Sequence, residues 1–188
     1  MKATWLALAA ALALSTTASA RNEATARPAA TPATFIEAHE IQAAIEKDSA
    51  GAFSDSPLRV VAIESKYNVG IAVVRRTKSS GPMQPDALVH DDVAEVYHII
   101  EGEGILLTGG ALRSPKPLTA PALVGEIGPS SAGQSIVGGT SHRVTAGDIV
   151  VIPPHTPHGF VDLTTPRIVY TIVRIDPERA LELRSKPQ

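Results

Sequence analysis

The chain has 188 residues, with 17 Lys and Arg against 19 Asp and Glu, a formal net charge of −2, and no cysteine. This near-neutral balance, without a basic field, excludes a nucleic-acid binder held by charge. The lack of thiols excludes a disulfide-stapled fold, so an apolar core must hold the chain together, and a domain of roughly 150 residues can build one.

At the N-terminus, Lys2 precedes an apolar run at residues 5–14 and the ending Ala18-Ser19-Ala20. This is the order of a secretory signal peptide, and the run is too short to span a bilayer. Cleavage is expected after Ala20, giving a secreted or periplasmic protein with no membrane span in its mature form. Removing residues 1–20 takes away Lys2 and no acid, leaving 16 basic and 19 acidic residues. Residues 21–33 are rich in Ala, Thr and Pro without apolar periodicity and read as a disordered tether. One folded domain is expected over residues 34–188.

Within that domain, Phe35-Ile36 suggests a brief strand. Ile41, Ala44 and Ile45 lie at helical spacing within residues 38–47, and residues 48–51 stop the helix. His39 starts this peripheral element and is expected to be solvated. The β-branched runs at 58–64 and 69–74, separated by turn formers at 65–68, predict two antiparallel strands. Residues 78–85 form a Ser, Gly and Pro-rich loop. Residues 111–133 contain Pro115, Pro117, Pro121 and Pro129 and read as an inserted loop near one opening of the fold. RIVYTIVRI, residues 167–175, is a last strong strand, and Asp176-Pro177 opens a closing helix carrying Ala180, Leu181 and Leu183. Short, regularly spaced strands with helices only at the ends predict an all-β jelly-roll barrel and exclude a parallel α/β fold.

Two stretches carry the chemistry: HDDVAEVYHIIEGEG at 90–104 and GDIVVIPPHTPHGF at 147–160. Each is a short strand and turn bearing residue types that bind metals. In the first, side-chain alternation puts Glu95, Tyr97 and Ile99 on one face and turns His98 away. In the second, Gly147-Asp148 turns the chain, residues 149–152 form an apolar strand, and Pro153-Pro154 ends the ladder just before His158.

These spacings resemble the two motifs of the cupin superfamily, in the single-domain form. Gly147, Pro153 and His158 stand in the register of the second motif, G-x5-P-x-G-x2-H. His90, Glu95 and Gly102 stand in the register of the first, G-x5-H-x-H-x3,4-E-x6-G. Two departures from the pattern matter: Leu88 stands where the first histidine would fall, and His155 replaces the second glycine of the second motif. The resemblance implies a cupin jelly roll with His90, Glu95 and His158 binding one divalent metal ion: iron, manganese, zinc, nickel or copper. Asp92, His142 and His155 are candidates for a fourth ligand. Tyr97, on the Glu95 face, is placed to donate a hydrogen bond or line the pocket. The implied partner is a small molecule, and a homodimer is the implied assembly.

Three functions follow from that resemblance. One is a metal-dependent enzyme of dioxygenase, isomerase or lyase type, the second a non-catalytic protein binding a metal or small ligand, and the third a metal-free structural cupin. No Ser-His-Asp ordering, phosphate loop or dinucleotide fingerprint competes with them.

Overall fold

The β-branched runs pair with their neighbours in sequence before they meet anything distant. After α1 (Ala38–Glu46), β1 (Phe53–Ile63) and β2 (Tyr67–Thr77) form an antiparallel hairpin, whose turn holds Glu64 and Ser65 at positive φ. The computed structural model describes residues 32–47, 51–78 and 87–187, and one compact unit extends from Thr34 to Gln188. The signal segment, nearly all of the tether and most of the loop expected at 78–85 lie outside the described residues.

The chain continues through β3 (Leu88–His90), β4 (Ala94–Glu101), β5 (Glu103–Thr108), β6 (Ala111–Arg113) and β7 (Lys116–Pro117) to α2 (Pro121–Ile127). It then adds β8 (Ser130–Ala132), β9 (Ser135–Val137), β10 (Thr140–Thr145), β11 (Ile149–Ile152), β12 (His158–Leu163) and β13 (Arg167–Asp176). One sheet runs β1-β2-β13-β4-β11, a second β10-β5-β12-β3-β8-β7, and β6 pairs with β9 apart from both. All named pairings are antiparallel. This is the all-β jelly roll that the motifs implied.

Inward side chains of both main sheets merge into one core, with Ile99, Leu106, Leu163 and Ile168 fully buried. Each such side chain contributes about 1.5–3 kcal/mol by leaving water. A smaller cluster lies on the other face, where Ala44 and Ile45 of α1 cover Leu58, Val73 and Val169. The motif glycines are explained by their backbone. Gly102 has φ +82°, and a Cβ there would run into the Arg167 carbonyl oxygen; Gly147 turns at φ +97°.

Three expectations need correction. Phe35-Ile36 forms no strand; Ile36 instead packs against the cluster beneath α1. Residues 111–133 are largely structured, and Pro117 and Pro121 sit where proline costs no hydrogen bond. Pro117 lies on β7, at the edge of its sheet, and Pro121 opens α2. The closing helix after Asp176 does not form. The buried Asp176 carboxylate does cap the backbone N–H groups of Ala180 and Leu181, at 3.1 and 2.8 Å, but Arg179 takes φ +57° and the chain turns back to bridge Val60 through Arg184.

Candidate metal centre

The candidate site draws from both sheets. β4 of the first carries Glu95, while β3 and β12 of the second carry His90 and His158. Strand alternation turns Glu95 and Tyr97 inward and leaves His98 exposed. Pairing of His158 with Leu88 sets β12 beside β3, so that both histidines face Glu95. The three side chains are almost fully buried, at 2, 1 and 3 % exposure for His90, Glu95 and His158.

Their geometry is that of a donor set. Nε2 of His90 and Nε2 of His158 each lie 3.3 Å from Glu95 Oε2, and one ligand atom from each residue falls within 4.8 Å of the others. The remaining ring nitrogens are committed elsewhere. His158 Nδ1 donates to the Thr156 carbonyl at 2.9 Å. His90 Nδ1 meets Ser130 Oγ at 2.8 Å, and that hydroxyl spends its own hydrogen on the Gly128 carbonyl, so it accepts from His90. In the neutral imidazoles both Nε2 atoms therefore carry lone pairs, and both are buried without a hydrogen-bond partner. Three acceptors facing one another are stable only around a cation or a proton. Two donors each about 2.0–2.1 Å from a common centre stand roughly 3.3–3.4 Å apart at a tetrahedral angle. The residues fit a divalent ion.

The surroundings fix the carboxylate. Tyr97 OH donates to Glu95 Oε2 at 2.9 Å, and Arg174 Nε donates to Oε1 at 2.9 Å. Arg174 also reaches Asp55 Oδ2 at 2.6 Å. Burial pushes the Glu95 carboxyl pKa up, but His158 and His90, when they present a proton to it, and the Arg174 charge outweigh burial and hold it well below the usual carboxylate range. Burial, reinforced by the Glu95 charge, keeps Tyr97 a neutral donor with its pKa well raised. For Arg174, burial works against the charge, yet Asp55 and Glu95 raise its pKa further. Two carboxylates, one buried and one half-buried, against one guanidinium leave this cluster net negative, which favours an added cation.

A cavity of about 340 Å³ opens on the Glu95 and His158 side. Its wall is mostly apolar, including Leu88, Leu106, Leu118, Leu123 and Phe160, with Asp55, Arg76, Glu126 and Arg174 as charged lining. Leu88 therefore puts hydrocarbon where the motif would supply a third imidazole.

The other candidates stay outside. Asp92 is exposed, and so is His142, which meets Thr108 Oγ1 at 3.2 Å. The His155 side chain is also exposed; its φ of +59° explains why the motif prefers glycine there, and its N–H donates to the His90 carbonyl at 2.8 Å. His39 is solvated and pairs with Glu37. Sequence reasoning missed Arg174, Asp55 and Ser130. Arg174 had left a signal, since it is a charged residue on the same strand register as the apolar Ile168, Tyr170 and Ile172.

Among known proteins, the AraC-like ligand binding domain family matches residues 132–187. No curated protein matches. Solved structures with a similar chain path include a conserved protein with a double-stranded β-helix domain from Klebsiella pneumoniae, at 16% identity and TM-score 0.43, covering 78% of this chain and 89% of that one. Oxalate oxidase follows at 19% and 0.41, covering 71% and 55%. The iron(II) protein HppE follows at 15% and 0.37, covering 57% and 48%, so this chain spans about half of its length.

Proposed function

We propose that this single-domain cupin binds one divalent metal ion through His90, Glu95 and His158 and acts on a small molecule in the adjoining cavity. One observation carries the reading: two buried imidazole Nε2 atoms without partners converge on one carboxylate oxygen, while both Nδ1 atoms are already committed. Nitrogen and oxygen donors of this kind suit iron, manganese, zinc, nickel or copper. Two histidines and one carboxylate leave coordination positions for substrate, compatible with dioxygenase, isomerase or lyase chemistry. A bound ion supplies Lewis-acid polarisation of a substrate oxygen. The chain's own residues do the rest: Arg174 holds Oε1 so that Oε2 faces the imidazoles, Tyr97 supports Oε2, and the leucine-rich wall displaces water.

The match to a ligand binding domain favours a second reading, in which the cavity retains a small ligand without turning it over. The N-terminal order of Lys2, apolar run and Ala18-Ser19-Ala20 supports export and cleavage after Ala20. Calorimetric titration of metal-stripped protein with zinc, manganese and iron(II) salts tests the metal reading. One saturable site is expected, and no heat from any ion sinks the proposal. Turnover that vanishes on chelation then favours the enzyme; tight ligand retention without turnover favours the binding protein.

A further inference from the structure

Arg174 points its guanidinium in three directions. Nε meets Glu95 Oε1 at 2.9 Å, Nη2 meets Asp55 Oδ2 at 2.6 Å, and Nη1 meets the backbone carbonyl of Glu126 at 3.3 Å. Glu126 lies in the last turn of α2, where helix carbonyls lack partners of their own. The same helix supplies Leu123, Glu126 and Ile127 to the cavity wall. Seven residues are too few for a helix to be stable alone, so α2 depends on such external ties, of which the Glu182 N–H to the Gly125 carbonyl at 2.8 Å is another.

Glu95 therefore stands between two consequences of metal binding. Without a cation, Oε2 is held against the two imidazoles only by the Tyr97 hydroxyl and a proton on a ring nitrogen. A divalent ion would tie Oε2 to both imidazoles at once and so hold Oε1 more firmly as the acceptor that Arg174 Nε already meets. We propose that Arg174 is a positioning residue that couples occupation of the His90, Glu95 and His158 site to the order of α2, so that the cavity wall firms when the site is loaded. This rests on the metal reading above. Coupling of this kind is reciprocal: whatever loosens α2 must weaken metal binding by the same factor.

Hydrogen exchange on the full domain, with and without zinc, tests it, with zinc content measured on the same samples. In wild type, zinc is expected to slow exchange of the α2 amides by about fivefold or more. Arg174→Lys keeps the charge but offers one ammonium for three acceptors; it is expected to bind zinc and lose the α2 response. An unchanged α2 in zinc-loaded wild type, or equal slowing in zinc-loaded Arg174→Lys, overturns the coupling. Wild type that takes up no zinc removes the metal reading and the coupling together, and the zinc content distinguishes that case. If Arg174→Lys does not fold, Leu123→Ser, which loosens the helix without touching a donor, decides by reciprocity. Weakened zinc affinity supports the coupling, and unchanged affinity overturns it.

Discussion

Arg174 and Glu95 are cross-strand partners on β13 and β4, both turned inward, with Nε 2.9 Å from Oε1. Sheet register thus places a cation beside the candidate metal carboxylate, and Asp55 shares the same guanidinium. Removing that guanidinium leaves the buried Glu95 carboxylate and the half-buried Asp55 carboxylate without their shared cation. Arg174→Met is expected to cost about 3–5 kcal/mol of unfolding free energy. Chemical denaturation checks it; a loss below about 1 kcal/mol would mean that the pair does not hold the sheets in this arrangement.

Ser130 Oγ accepts a hydrogen bond from His90 Nδ1 and donates one to the Gly128 carbonyl. Ser130→Ala leaves that ring without its anchor, so metal affinity is expected to fall about 10–100-fold while the fold stays intact. Metal titration of the folded variant measures it, and unchanged affinity would show that the ring needs no such support.

Leu88 lines the cavity beside the donors, on the strand that pairs with His158. Leu88→His should restore a fourth donor and tighten binding by about tenfold or more, roughly 1.4 kcal/mol. Competition with a chelator reads this directly. No gain would mean that position 88 does not reach the ion.

The depressed pKa of Glu95 gives a sign for acid sensitivity. A carboxyl held below its unfolded value, about 4.3, adds stability that is complete above that value and is lost as pH falls through the lower folded value. Thermal melts of metal-stripped wild type and Glu95→Gln between pH 7 and pH 3 are expected to converge toward acid. Parallel curves would contradict the assignment.

The triad was legible because the resemblance to the cupin motifs implies His90, Glu95 and His158 together, while strand alternation adds that Glu95 rather than His98 faces inward. Its supports were not. Ser130, Arg174 and Asp55 reach their partners across 40, 79 and 119 residues, and such contacts depend on register between strands, which periodicity in one strand does not reveal. The proline-rich insertion misled for a related reason. Proline forbids the interior of a sheet but not an edge strand or a helix start, and which of these a segment becomes is decided by its neighbours.

The central claim is that His90, Glu95 and His158 form one metal site, and elemental analysis tests it most directly. Wild type purified from metal-replete medium is expected to carry about one equivalent of a divalent transition metal. Glu95→Ala and His158→Ala, folded by circular dichroism, are expected to carry almost none. Metal-free wild type, or full occupancy in either variant, would contradict the account.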